Sequence, residues 1–337
     1  SCTDQYFYMN NRSKNTDDHN CTDVDKLMQH YYLPVGYAIV FIVDLVGNVT
    51  SIGVYLTKIH PWKSSSIIMV NLAITDLLYA LCLPYLVYYY SNGNSWVLGD
   101  FMCRFIRFGF HFHLYSSILF LTCLAVFRYI VVMNPLRVAQ VQQKHWGIIA
   151  CSAVWLIAAA GLTPMFTILT MENINNKTNC QDFASTSRVD DVRLYSWFLT
   201  AFGFILPLVV VFTCYIGIVK KLSKGPITTS PCRIRAQRST VLILVVFVVC
   251  FLPFHIMRAL RIETRKMQEP SCMMMHVVNA AYIISRPLAG LNTFFNLALY
   301  TLSGDMFKKA FLETYSCKCW MNKARSQVQL AVINCRH

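Results

Sequence analysis

Charge is scarce in this chain. Only 14% of its 337 residues are Asp, Glu, Lys or Arg, against about 25% in ordinary soluble domains. A soluble protein of this length would need far more polar side chains to cover its surface, which excludes a typical cytosolic enzyme. Acidic residues are the scarcer sign, 16 against 30 basic, for a formal charge of +14. Gly and Pro number 13 and 11, too few for a collagen-like fibre or a linker-rich array. Also missing are a Gly-rich phosphate loop, a metal-spaced His/Cys cluster and a nucleophile motif, so an enzyme is not expected, nor a cofactor. No signal peptide is read, because the first residues lack a basic start followed by an apolar core.

What is abundant is apolar length. Hydrophobic residues make up 55% of the chain, and they gather into seven runs, at about 32–57, 66–90, 101–132, 146–169, 195–219, 241–260 and 277–302. Each reaches the roughly 20 residues a helix needs to cross a bilayer. Backbone polar groups in lipid must be satisfied within the segment, so the runs predict helices. The expected fold is an all-α, seven-helix integral membrane bundle spanning 32–302. A polar amino-terminal segment, 1–31, precedes it, and a short amphipathic helix and tail, 303–337, follow.

Basic residues mark one side of the membrane. Lys58, Lys63, Arg137, Lys144, Lys220, Lys221, Lys224, Arg233, Arg235 and Arg238 fall in alternate loops, and Lys308, Lys309, Lys318, Lys323 and Arg325 fall in the tail. The positive-inside rule then puts the tail in the cytoplasm and the amino terminus outside. Topology explains most of the net charge, and nucleic-acid binding loses its support. Three glycosylation acceptors, Asn11, Asn20 and Asn176, lie on the expected outer side. Cys103 and Cys180 face the same oxidising compartment, where a disulfide would pin the long outer loop over the bundle. Cys21 and Cys272 offer a second bridge. Cys317 and Cys319 follow the amphipathic segment and are palmitoylation candidates.

Polar landmarks inside the helices carry a resemblance. Gly47-Asn48-Val49 stands in the first helix and Asn71-Leu72-Ala73-Ile74-Thr75-Asp76 in the second. Phe127-Arg128-Tyr129 ends the third, and Trp155 stands in the fourth. Pro207 and Tyr215 lie in the fifth, Phe251-Leu252-Pro253-Phe254 in the sixth and Asn296-Leu297-Ala298-Leu299-Tyr300 in the seventh. In order and placement the chain resembles the rhodopsin-like G-protein-coupled receptors. The family usually carries an acidic residue where Phe127 stands, a proline at Leu297 and a tryptophan at Phe251. The resemblance implies a plasma-membrane, multi-pass receptor with a heterotrimeric G protein as partner and arrestin as a further one. It implies switch residues Arg128, Tyr129, Tyr215, Phe251, Pro253, Asn296 and Tyr300. It also implies a sodium ion or an ordered-water network among Asp76, Asn48, Ser117 and Asn292. Gly290 stands where an opsin would carry its Schiff-base lysine, so a retinal pump is not expected. A transporter would show an internal repeat, which the chain lacks.

Cations near the outer helix ends point to the ligand. Arg107 and His111 lie four apart in the third helix, hence on one face. His255, Arg258 and Arg261 are spaced by three in the sixth, and Arg286 lies in the outer half of the seventh. The only acidic residue close to them in sequence is Glu263, so internal pairing is not evident. Arginines near helix ends can snorkel to headgroups, but three helices contributing guanidinium groups at similar depth favour a shared anion. Guanidinium forks bind carboxylate or phosphate through paired hydrogen bonds. Tyr85, Tyr89, Tyr115 and Tyr282 would add hydroxyls or ring faces.

Further segments sharpen the resemblance. Phe105-Ile106-Arg107-Phe108, Leu114-Tyr115-Ser116-Ser117, Phe251-Leu252-Pro253-Phe254-His255 and Ser285-Arg286-Pro287-Leu288-Ala289 are similar to the purinergic-related receptors for acidic metabolites, most closely their oxoglutarate-receptor branch. That branch carries the Phe-Arg-Tyr variant too. The resemblance implies 2-oxoglutarate or a related dicarboxylate as agonist, with Arg107, His111, Arg258 and Arg286 as contacts, and Gq-type coupling. Succinate and nucleotides remain alternatives.

Overall fold

The structure is a computed structural model describing residues 27–134, 138–174, 177–223, 231–267, 272–303 and 305–315. Asn11, Asn20, Cys21, Asn176, Cys317 and Cys319 lie outside the described residues. Helix α1 spans Leu33–Lys58, α2 Ser64–Ser91, α3 Gly99–Met133 and α4 Lys144–Leu162. An antiparallel hairpin follows, β1 Met171–Ile174 on β2 Lys177–Cys180, with Met171 opposite Cys180 and Ile174 opposite Lys177. Helix α5 is Val189–Ser223, and α6 joins Pro231–Val246, Phe247–Phe251 and Leu252–Lys266 into one run. Helix α7 is Cys272–Gly290 continued by Asn292–Ser303, and α8 is Asp305–Tyr315.

Among the described residues, six helices, those of α1 to α6, are long and apolar enough to cross a membrane. The seventh is interrupted at Leu291, whose N–H is shared between the carbonyls of Pro287 and Leu288 at 3.0 and 3.1 Å. A proline inside a helix lacks the N–H and crowds the preceding turn. In α5 and α6 the chain widens to π turns at Ala201–Ile205 and Phe247–Phe251, just ahead of Pro207 and Pro253. Such turns let a helix absorb the missing bond without breaking. Both ends of α6 run further than its apolar stretch, because helical hydrogen bonding continues after the greasy side chains stop.

The outside of the bundle is apolar. Leu81, Leu156, Ile157 and Phe202 are among many large hydrophobic side chains that are exposed, the inverse of a soluble surface and what lipid-facing positions require. Polar residues turn inward instead, with Asp44, Asn48, Asp76, Ser117 and Asn296 fully buried. Trp155 Nε1 donates to Asn71 Oδ1 at 2.8 Å, tying α4 to α2.

Two glycines set helix spacing. A Cβ on Gly47 would fall 2.3 Å from Leu297 Cδ1. The residue that replaces the family's proline therefore packs into the notch of the Gly-Asn-Val motif. At the foot of α2, the Ser64 hydroxyl donates to the carbonyls of Val141 and Gln143 at 2.8 and 2.6 Å. Gly147 sits against that same residue, and a Cβ there would fall 2.8 Å from the Ser64 Cα and carbonyl oxygen. Gly→Ala inside a helix ordinarily stabilises by about 1 kcal/mol. Gly147→Ala is expected to do the opposite, because backbone atoms must move: a net loss of about 1–2 kcal/mol, read as a lower unfolding temperature of the purified protein.

Candidate functional site

At the hairpin end of the bundle a disulfide joins Cys103, in the first turn of α3, to Cys180, the last residue of β2. Trp96 N–H donates to the Thr178 carbonyl at 2.8 Å, fixing the hairpin to the α2–α3 connection. The chain leaving Cys180 then runs inward. Asp182, Phe183, Ala184 and Thr186 are buried between the helices, and Arg265 of α6 donates to the Ala184 and Thr186 carbonyls, both at 2.9 Å.

Beneath this loop lie three guanidinium groups. Arg107 is 5% exposed, Arg286 5% and Arg258 0%. Arg107 donates to the Tyr90 hydroxyl at 3.0 Å and to the Cys180 carbonyl at 2.8 Å. Arg286 donates to the same Tyr90 oxygen at 2.7 Å, and its Nη1 lies 3.9 Å from Asp182 Oδ2. The Tyr282 hydroxyl donates to that carboxylate at 2.5 Å. Arg258 donates to Tyr115 and Thr200 hydroxyls at 2.7 and 3.0 Å, and lies over the rings of Phe254, Tyr115 and Phe183. Among the described residues, no carboxylate lies within 4 Å of Arg107 or Arg258.

Several hydrogen-bonding atoms here are buried without partners among the described residues: Nε of Arg107, Arg258 and Arg286, and Nε2 of His111 and His255. The Nδ1 of each histidine is held by a carbonyl four residues back, Arg107 at 3.0 Å and Phe251 at 2.8 Å. Burying donors without acceptors is costly, and the three unmet guanidinium N–H groups are what a bound anion could satisfy.

The structure thus brings together Arg107, His111, Arg258, Arg286, His255 and Tyr282, while Tyr89 lies beneath Arg107 with its ring centroid 5.5 Å from the guanidinium carbon. Tyr85 does not join them. It is 39% exposed, and the hydroxyl that bridges two arginines belongs to Tyr90, about one and a half turns along α2. The expectation that the arginines lack internal partners is also corrected, since Asp182 pairs with Arg286. Glu263, the acid nearest in sequence, instead holds Arg193 at 2.8 and 3.0 Å and accepts from Trp197 Nε1 at 2.8 Å. A signal for Asp182 is present in the sequence. It stands two residues after Cys180, and the disulfide anchors that cysteine one turn above Arg107.

Halfway through the bundle is a second polar junction. Asp76 Oδ1 shares a hydrogen bond with His113 Nε2 at 3.0 Å, and Oδ2 accepts from Asn296 Nδ2 at 2.9 Å. Asp44 Oδ1 accepts from Asn48 Nδ2 at 2.6 Å and from the Thr293 hydroxyl at 3.1 Å. Ser117 Oγ and both Asn292 amide atoms are buried without partners among the described residues. At the opposite end, Arg128 and Tyr129 are half-buried, as is Tyr215. Tyr300 is fully buried, with its hydroxyl 3.5 Å from Asn48 Oδ1. Phe251 sits in the π turn of α6, edge-on to Phe247.

Residues 47–300 match the model of the 7 transmembrane receptor (rhodopsin family). The chain belongs to that family. This receptor is 48% identical to the 2-oxoglutarate receptor 1 of Rattus norvegicus over 299 residues, covering 89% of this chain and 88% of the relative. The Mus musculus 2-oxoglutarate receptor 1 is 46% identical over the same shares. A purinoceptor of Gallus gallus is 38% identical over 83% of this chain and 78% of its own length. The receptor is therefore a multi-pass plasma-membrane protein that takes a small-molecule ligand and couples to a G protein, and it is not an enzyme.

Burial alone would raise the Asp182 carboxyl, but the Arg286 and Arg107 charges and the Tyr282 hydrogen bond outweigh it and hold the group below its ordinary 3.8. A depressed value stabilises the fold above the unfolded pKa and stops doing so as pH falls through the folded one. Asp182→Asn is thus expected to lower the unfolding temperature by an amount that stays constant from about pH 7 to pH 5 and shrinks below about pH 4. Thermal unfolding across that range checks it.

Proposed function

We propose that this receptor responds to a small dicarboxylate, most closely 2-oxoglutarate, bound at the hairpin end, and signals through a Gq-type protein to release calcium. The observation that carries this reading is the imbalance of charge: among the described residues, three buried guanidinium groups face a single buried carboxylate, Asp182, which pairs with Arg286 alone. An anion with two acidic groups would balance the remainder. One carboxylate would lie between Arg107 and Arg286, the other by Arg258, with His111 and His255 Nε2 between them. Aromatic faces from Tyr89, Phe183 and Phe254 line the same space and keep the site dry enough for charge-assisted bonds to be strong. The identity with two 2-oxoglutarate receptors supports the same ligand class. The likeness to a purinoceptor favours a nucleotide as the second reading.

In this reading the hairpin end faces outward, and the amino terminus with its acceptors Asn11 and Asn20 is extracellular, as is the acceptor Asn176. Cys21 and Cys272 tie that segment to the α6–α7 connection. Helix α8 lies along the inner leaflet, held there by palmitoyl groups on Cys317 and Cys319. The agonist works by binding better to one conformation than the other. By drawing α3, α6 and α7 together around the anion, it favours the state whose inner side admits the G protein beside Arg128 and Tyr129, and in turn arrestin. The π turn ahead of Pro253 gives α6 a place to bend.

Three outcomes follow. In mammalian cells, 2-oxoglutarate is expected to release calcium at lower concentration than succinate or ADP. Arg107→Ala, Arg258→Ala and Arg286→Ala, matched for surface expression, should each cost about 2–4 kcal/mol of agonist affinity, about 30- to 700-fold in potency. Unchanged potency in Arg286→Ala would remove the pocket from the reading. Arg128 lacks an adjacent acid because Phe127 precedes it. Phe127→Asp is expected to lower agonist-free signalling, measured as inositol phosphate accumulation.

A further inference from the structure

The fold family implies a sodium ion on the mid-bundle carboxylate, and the contacts at Asp76 do not fit one. A hard cation needs carboxylate, carbonyl, hydroxyl or water oxygens free to turn their lone pairs towards it. Both oxygens of Asp76 are already taken by groups of the chain. Oδ1 lies 3.0 Å from His113 Nε2, with both side chains nearly inaccessible, 2% for His113 and 0% for Asp76. Two lone pairs would repel at that distance, so a hydrogen lies between the atoms whichever of them carries it. Oδ2 accepts from Asn296 Nδ2 at 2.9 Å and faces the Thr293 hydroxyl at 3.4 Å. The His113 ring is not free to swing away. Tyr79 stacks on it with centroids 4.3 Å apart and planes 6° from parallel. The second carboxyl of the junction, Asp44, accepts from Asn48 and Thr293 through Oδ1, while its Oδ2 is buried without a partner among the described residues.

We propose that His113 fills, from within the chain, the position a sodium ion would take at Asp76, so that this receptor's core junction works independently of sodium. The histidine links α3 to α2 where a diffusible ion would otherwise do so, and the link is present at any salt composition. Replacing the imidazole with a side chain that reaches less far would free Oδ1. Ser117 Oγ and the Asn292 amide oxygen, both buried without partners among the described residues, would then complete an oxygen cage. His113→Asn is accordingly expected to convert the junction into a sodium site.

The test needs no agonist, so it stands apart from the ligand reading. Full-length receptor, unsubstituted and His113→Asn, is purified in detergent, and thermal unfolding is followed in sodium chloride and in choline chloride at equal ionic strength. A ligand present well above its dissociation constant stabilises the folded state by mass action. The unsubstituted receptor should unfold at the same temperature in both salts, whereas His113→Asn should gain roughly 3–6 °C in sodium. His113→Gln is measured in parallel, so that loss of one variant to misfolding leaves the comparison intact. A sodium-specific rise in the unsubstituted receptor overturns the proposal. So does the absence of any such rise in variants that fold.

Discussion

The cost of holding guanidinium groups away from water governs the hairpin end of this bundle. An unpaired buried charge costs several kcal/mol, and here three buried cations occupy one chamber. The fold meets that cost in graded ways. Arg286 has a carboxylate and a phenol, Arg107 a phenol and a carbonyl, and Arg258 only hydroxyls and ring faces. Each arrangement depends on a part of the chain that is remote in sequence. The carbonyl comes from Cys180, whose place is set by the disulfide, and the carboxylate from Asp182 just beyond it. Without the hairpin and its bridge, α3 and α7 would present cations with no counter-charge. The covalent link and the electrostatics are thus one device.

Prolines divide the labour among the helices. Pro207 and Pro253 are accommodated by π turns that leave α5 and α6 continuous, while Pro287 precedes the break in α7. The family's usual proline near the end of the seventh helix is Leu297, and its side chain instead fills the notch over Gly47. The irregularity of α7 therefore lies nearer the hairpin end, six residues earlier, at Leu291. Just before the break stands Arg286, which belongs to the arginine chamber. Just after it stand Asn292, Thr293 and Asn296, which belong to the mid-bundle junction.

Much of this is legible in the sequence because membranes impose simple rules. Seven apolar runs mark the helices, though α6 begins ten residues earlier and ends six later than its run, since hydropathy marks lipid contact and not the end of hydrogen bonding. Helical spacing places Arg107 with His111, and Arg258 with His255, on shared faces. What it misses comes from loops and rotation. Asp182 lies in an irregular segment whose inward course follows from the disulfide and not from any periodicity. Sequence reasoning favours Tyr85 over Tyr90 for the site, because both lie in a tyrosine-rich stretch where less than half a turn of rotation decides which hydroxyl faces inward. Asp44 and His113 also escape it. Only the packing of α1, α2, α3 and α7 reveals that they belong to one junction.

Helix α3 shows how the two buried polar centres are kept distinct and yet joined. His111 and His113 are two residues apart, which on a helix turns them to nearly opposite faces. His111 looks towards Phe183 and Phe254 in the arginine chamber, and His113 towards Tyr79 and Asp76 on the α2 side. Any rotation of α3 that moves His111 within its chamber must also move His113 against a stacked ring and a buried carboxylate. The second centre therefore opposes small displacements and yields only to larger ones. Packed interfaces of this kind switch between discrete arrangements and do not deform gradually, which is the behaviour a receptor needs if occupancy at one end is to be read at Arg128 on the other.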